Sequence, residues 1–278
     1  MSHALILQHS NLAACDLTAL NTLNLPEPTT QPGSLRFAVA GDFALADDIR
    51  ADLVRQEIDA AVLPDMAFAD LGLIVSDMDS TLITIECVDE IAAGVGLKAQ
   101  VAEITERSMR GELDFEQSLR ERVALLAGLD ETVLQQVYDQ VLQLTPGAEY
   151  LLAQCREHGV KFMLVSGGFT FFTERLQQRL GFEYQYANVL DVADGRLTGR
   201  LNGRIVDAQA KADLLCQYRD SLGLQPQQVL AMGDGANDIP MLHEAGIGVA
   251  YRAKPKAQAE ADACINFGGL ERVRAWFR

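Results

Sequence analysis

Gly72-Leu-Ile-Val-Ser-Asp77-Met-Asp79-Ser-Thr81 is the stretch on which the reading of this chain turns. The apolar run 73–75 reads as a fully buried strand. It ends in two carboxylates one residue apart. Two like charges beside a hydrophobic strand are costly unless something offsets them. A divalent cation is the obvious offset, because hard oxygen ligands suit Mg²⁺. A solvated turn is the competing reading of these ten residues, since Asp and Ser are common turn residues.

Two later strands bear on the choice. The run 160–165 ends in Ser166-Gly167-Gly168, and 229–232 ends in Gly233-Asp234-Gly-Ala-Asn237-Asp238. Between and after these runs lie helical patterns at 145–158, 170–180, 208–222 and from 239 to Gly246, then strands at 247–250 and 263–265 and a last helix at 270–277. Helix–strand alternation predicts a doubly wound parallel sheet with helices on both faces. Ligands of such sheets bind beyond the carboxyl ends of the strands. Three polar strand ends at one sheet edge, two of them glycine-bearing, are hard to explain as turns.

Directly after the first of these strands, helical patterns fill 88–94, 98–109, 114–127 and 131–142. They predict a helical cap, 86–144, over that strand's end. Phe115, Leu119, Arg122 and Leu126 share one face of the third helix. Arg122 either snorkels from an apolar stripe or turns a guanidinium into a cavity to grip an anion. Lys211 lies in the first turn of the 208–222 helix, against the helix dipole, behind an Asp207 N-cap. Asp194-Gly195 and Asn202-Gly203 each predict a hairpin.

Asp77, Asp79 and Asp234 offer oxygens to Mg²⁺. Ser166 and the N–H groups of Gly167 and Gly168 offer donors to an anion, and Lys211 offers a further cation. This is equipment for phosphoryl transfer. Asp77, at the rigid strand end, is the better nucleophile, and Asp79 is placed as general acid and then base.

In its order Asp77-x-Asp79-x-Thr81, Ser166, Lys211 and Gly233-Asp234-x-x-x-Asp238, the chain resembles the haloacid dehalogenase superfamily of phosphatases over residues 70–270. The finer resemblance, carried by Glu86, the cap run from Met109 to Arg122, Ser166-Gly-Gly-Phe169 and Gly-Asp-Gly-Ala-Asn-Asp238, is to its phosphoserine phosphatase branch. The resemblance implies a Rossmann-like core and an aspartyl-phosphate on Asp77. It implies Mg²⁺ on Asp77, the Asp79 backbone carbonyl and Asp234, with Asp238 supporting that site from behind. Ser166, Gly167, Lys211 and Asn237 would serve the phosphate. Glu86 and Arg122 would read the amine and carboxylate of O-phosphoserine, with Met109 and Phe115 shaping the pocket. A related enzyme for another small phosphate ester, such as homoserine phosphate, uses the same core. A receiver-like module shares the Asp, Mg²⁺ and Lys, but lacks an acid two residues on and a large cap.

Residues 1–66 predict a separate small α/β unit, with strands at 5–7, 35–40 and 60–63 and helices at 12–23 and 47–58. Ile49, Leu53 and Val54 fall on one face of the latter. A breaker-rich loop spans Pro26 to Gly33. Some longer members of the branch carry an N-terminal regulatory domain of the ACT type, and this unit is similar in size. Regulation, homodimerisation or a structural part are its open roles. The catalytic domain is expected at 67–278.

The chain has 278 residues and a formal net charge of −16. Its mean hydropathy is +0.05. So acidic a surface disfavours nucleic acid and anionic membranes. An anionic substrate therefore needs local positive charge. Five cysteines without CxxC spacing argue against zinc and disulfides and fit a reducing compartment. No leader-like segment opens the chain, and a cytoplasmic location is expected.

Overall fold

A computed structural model describes residues 2–278, with the side chain of Met109 outside the described set. The N-terminal unit is built from β1 (His3–Gln8), β2 (Thr29–Gln31), β3 (Ser34–Val39), α1 (Asp47–Arg55) and β4 (Asp59–Pro64). Its four strands are antiparallel in the order β2-β3-β1-β4. This is the split-βαβ arrangement with its first helix reduced. In place of the helix expected at 12–23 stand two 3-10 turns, Leu12–Ala14 and Thr18–Leu23. Asp16 is the reason. Its carboxylate accepts the Thr18 N–H, and its backbone exchanges two hydrogen bonds with the Gln56 side chain, so local side-chain bonding replaces the helical ladder. The strand β2 was hidden in the proline-rich loop. It is an exposed sheet edge, where prolines nearby are tolerated. Ile49 and Leu53 are buried, but Val54 is 47% exposed.

The second sheet begins at β5 (Leu73–Ser76). The cap helices follow: α2 (Cys87–Gly94), α3 (Lys98–Met109), α4 (Phe115–Ala124) and α5 (Thr132–Gln140). Then come α6 (Ala148–His158), β6 (Lys161–Phe169), α7 (Thr170–Leu180), β7 (Tyr184–Ala193), β8 (Arg196–Asn202) and α8 (Ala208–Ser221). The chain closes with β9 (Val229–Gly233), α9 (Ile239–Glu244), β10 (Ile247–Tyr251), α10 (Pro255–Glu260), β11 (Ala263–Ile265) and α11 (Glu271–Ala275). The seven strands run β11-β10-β9-β5-β6-β7-β8, parallel except for β8. Alternate residues enter different cores. Ile74, Phe162 and Leu230 join one with α6, α7 and the cap, while Leu73, Val75, Met163 and Val229 join another with α8 and α9. Both faces are therefore covered, as a parallel sheet requires.

Three expectations need correction. Of the two hairpin signals only Asp194-Gly195 closes one, with both residues at positive φ. Asn202-Gly203 instead turns the chain from β8 toward α8. The strand β6 does not stop at Val165. It runs through Ser166-Gly-Gly to Phe169 with a register shift, so Gly167 and Gly168 are extended backbone. Finally, α10 was not foreseen.

The cap is tied down at its far end. The Gly128 N–H donates to the Leu197 carbonyl at 2.8 Å and the Leu197 N–H to that of Leu129 at 2.8 Å. The N-terminal unit is docked on the chain's end: Asp59 accepts the Asn266 and Phe267 N–H groups at 2.9 Å each, and Arg36 pairs with Asp65 at 2.7 Å while donating to the Trp276 carbonyl.

Candidate active site

β5 lies between β6 and β9, so Asp77, Ser166 and Asp234 emerge side by side from three adjacent strands. The Asp77 N–H continues the sheet to the Met232 carbonyl at 2.9 Å, which fixes the carboxylate at the edge. The chain then winds through one wide helical turn, Met78–Leu82, broken at Ser80 with φ 55°. Beyond the kink the Cys87 N–H, at the start of α2, donates to Asp79 Oδ1 at 3.3 Å.

A cavity of about 150 Å³ sits over these strand ends. Asp77, Asp79, Ser166, Gly167, Asp234 and Asn237 form its floor and sides. Phe115 and Arg122 from α4 and Glu86 from the cap's entry close it above. The predicted residues thus converge, with two qualifications. Lys211 and Asp238 lie beneath the floor, both fully buried. The Met109 side chain lies outside the described residues.

Lys211 bridges the buried layer. Its Nζ donates to Asp77 Oδ1 and to Asp238 Oδ1, each at 2.7 Å. The other oxygen of Asp238 accepts the N–H groups of Asp234 and Gly235 at 3.1 and 3.0 Å. Burial alone would drive the Lys211 ammonium down, but Asp238 and Asp77 outweigh it and hold it charged. Asp77, Asp234 and Asp238 present oxygens all within 4.8 Å of one another. Three carboxylates around one ammonium leave two negative charges uncompensated. Burial first, then Asp238, pushes Asp77 well above the usual carboxylate range. The same two causes raise Asp234 to about 6. A divalent cation fits this donor set and removes the excess. Asp238, with both oxygens already engaged, holds Lys211 and the Asp234 loop in place.

Asp79 is raised to about 7, by burial first and then by Glu86. At neutral pH it exchanges a proton readily, as an acid–base group must. Ser166 Oγ accepts the Gly168 N–H at 2.8 Å, leaving its own hydrogen for a ligand. The Gly168 N–H is therefore not free for an anion, contrary to expectation, and Gly167 is left as the backbone donor.

The two glycines serve close approach. A Cβ on Gly168 would lie 2.8 Å from Met78 Cε and 3.0 Å from Asp79 Oδ2, and one on Gly167 would lie 2.9 Å from Phe115 Cζ. Gly167→Ala is expected to push Phe115 and the cap outward and lower kcat/KM by about 10²-fold, on the scale of a 1 Å misplacement. Steady-state kinetics beside a melting curve check this; parental kinetics would show that the contact is dispensable.

Several residues escaped the sequence reading. Asn188 spans Gly167 and Val206, donating to the first carbonyl at 2.9 Å and accepting the second N–H at 2.8 Å. Nothing in a strand sequence marks such a bridge. Val88 and Lys254 also line the cavity. For Lys254 a signal existed: it follows β10, a parallel strand whose carboxyl end opens on the same edge.

The pattern of the haloacid dehalogenase-like hydrolases matches residues 74–243. The chain belongs to that family. A phosphoserine phosphatase from Polaromonas sp. is 52% identical over 215 residues, which are 76% of this chain and 91% of the relative. The crystal structure of a probable phosphoserine phosphatase from Vibrio cholerae superposes with a TM-score of 0.82 at 36% identity, over 99% of this chain and 85% of that one. A structure described as a phospho-aspartyl intermediate analogue of phosphoserine phosphatase has 37% identity and a TM-score of 0.70, over 75% and 99% of the two chains. Within the hydrolases, then, this chain falls among the phosphoserine phosphatases.

Proposed function

We propose that this enzyme hydrolyses O-phosphoserine to serine and inorganic phosphate, the closing step of serine biosynthesis, through a phosphoryl group carried on Asp77. The observation that carries the substrate assignment is the pair Glu86 and Arg122 above the aspartates. Arg122 lines the cavity, no carboxylate pairs with it among the described residues, and its Nε–H only turns back to the Ser118 carbonyl at 3.4 Å. Glu86 accepts the Ser80 hydroxyl at 2.7 Å through Oε1, which leaves Oε2 for an ammonium. A zwitterion linked to a phosphate matches this layout of charges.

In the first half-reaction an Asp77 oxygen forms a bond to phosphorus as the bond to the serine oxygen breaks. Asp79 donates its proton to that departing oxygen. In the second, Asp79 takes a proton from water, whose oxygen attacks phosphorus and frees Asp77. The Ser166 hydroxyl, the Gly167 N–H and Asn237 hold the phosphoryl oxygens in line. Lys211, with two of its three hydrogens on Asp77 and Asp238, keeps the nucleophile ionised and aimed. Asp77, Asp234 and the Asp79 carbonyl would hold Mg²⁺, which would supply positive charge to the phosphoryl oxygens. Phe115 shapes the space around the serine moiety.

Phosphate release from a panel of phosphorylated small molecules tests this reading. O-phosphoserine should be the best substrate, EDTA should reduce release to background, and Mg²⁺ should restore it. Release that persists in EDTA would remove the metal from the reaction. Preference for homoserine phosphate would move the substrate assignment. No helix among the described residues is long and apolar enough to cross a membrane. All five cysteines are free, which supports a reducing, cytoplasmic setting. We assign the N-terminal unit, by its polar docking on residues 266–278, a part in stabilising the chain's end, with regulation or homodimerisation decided by its deletion.

A further inference from the structure

Among the residues that line the cavity, Lys254 is a cation with no part in the reaction described above. Four carboxylates face it, those of Asp77, Asp79, Glu86 and Asp234, with Arg122 and Lys254 as the lining cations. Lys211 lies beneath, committed to Asp77 and Asp238. Arg122 sits on the cap, on the side away from the strand ends. Lys254 stands on the other side, with Asp234 and Asn237.

Its backbone is fixed and its side chain is free. The Lys254 N–H donates to the Asp234 carbonyl at 3.0 Å. Pro255 restricts Lys254 to extended geometry, and its φ and ψ are −64° and 152°. Among the described residues no hydrogen bond or ion pair takes its ammonium, and the side chain is exposed at the cavity mouth.

We infer that Lys254 is a phosphate-steering residue, which draws the phosphate dianion into the cavity and contacts its outer oxygens as it settles. The inference rests on the phosphatase reading of the site. A dianion approaching a chain of net charge −16 and a cavity lined by four carboxylates meets long-range repulsion. A mobile ammonium at the rim reverses the local field and raises the association rate. Lys suits this task better than Arg, because a compact charge on a flexible stem follows its target inward.

The test is steady-state kinetics of Lys254→Met and Lys254→Arg, with Mg²⁺, on O-phosphoserine and on p-nitrophenyl phosphate across a range of ionic strength. Lys254→Met should lower kcat/KM roughly tenfold on both substrates while kcat holds. Its kcat/KM should fall less steeply with salt than the parent's. The inhibition constant for inorganic phosphate should rise by the same factor, and Lys254→Arg should recover most of the loss. A parental kcat/KM and salt slope in Lys254→Met would overturn the inference, as would a loss confined to O-phosphoserine. The exposed side chain takes part in no hydrogen bond or ion pair among the described residues, so the melting temperature should move little. Should the enzyme turn out to prefer another phosphate ester, the substrate reading fails, yet the p-nitrophenyl phosphate arm still decides the part of Lys254.

Discussion

Asp79→Asn is expected to lower kcat on O-phosphoserine by about 10²–10⁴, the usual contribution of a positioned acid–base group. The reason lies in the leaving group. Serine would depart as an alkoxide, which is too basic to leave without a proton. On the proposed mechanism Asp79 carries that proton, because burial and Glu86 raise its pKa to about 7. Asn keeps the shape and the contact to the Cys87 N–H but has no proton to give. p-Nitrophenyl phosphate separates the two halves of the reaction, since nitrophenolate leaves as a stable anion. Asp79→Asn should therefore release a burst of nitrophenolate, up to one equivalent per site. It should then stall, because the same residue activates water in the second half. Rapid-mixing absorbance resolves burst from stall. A variant that turns over O-phosphoserine at the parental rate would remove Asp79 from proton transfer.

The sign of the pH dependence follows. The acid must be protonated when substrate arrives, so as pH rises through about 7 the fraction of competent enzyme falls. Activity toward O-phosphoserine should decline on the alkaline side. The phosphorylation burst with p-nitrophenyl phosphate, which needs no acid, should decline less. Parallel pH profiles for the two would argue that some other group sets the limb.

What could be read from the chain before its fold was known divides along a physical line. The core strands announce themselves because a buried parallel strand needs a continuous apolar run, and 73–75 and 229–232 supply it. Their ends are legible because carboxylates and glycines against such runs are expensive without a task. Convergence in space then follows from topology, since adjacent parallel strands open on one edge. What stayed hidden depends on contacts between distant residues. Asp16 abolishes a helix by bonding Gln56, forty positions on, and Asn188 braces Gly167 through a bridge to Val206. The close approach of Phe115 and Asp79 to Gly167 and Gly168, which leaves no room for a Cβ, is likewise recorded by no local pattern. Lys211 is intermediate. Its unfavourable place at a helix start was visible in the chain, whereas the two carboxylates that justify it come from β5 and the loop after β9.

Arg122 carries the second large effect, and it concerns selectivity more than rate. In α4 the residue shares a face with Leu119, buried beside it, and Phe115, which packs against the core. Such a stripe ordinarily excludes charge. The side chain is half-buried, paired to no carboxylate among the described residues, and open to the cavity. That arrangement leaves a cation partly stripped of water and without a partner until a ligand supplies one. On the proposed reading, replacing Arg122 by Ala removes the partner of the substrate carboxylate at a half-buried site. Truncations of this kind cost about 2–4 kcal/mol, or roughly 30- to 1,000-fold in kcat/KM on O-phosphoserine. p-Nitrophenyl phosphate has no carboxylate, so its kcat/KM should change little. The loss should appear mainly in KM, because the contact forms when substrate binds and is kept through the reaction. Arg122→Lys should recover part of it, since a point charge replaces a planar fork that grips both oxygens. Equal losses on the two substrates would place Arg122 with the phosphate or the fold. The cavity would then have no reader for the carboxylate, and Glu86 alone could not select an amino acid.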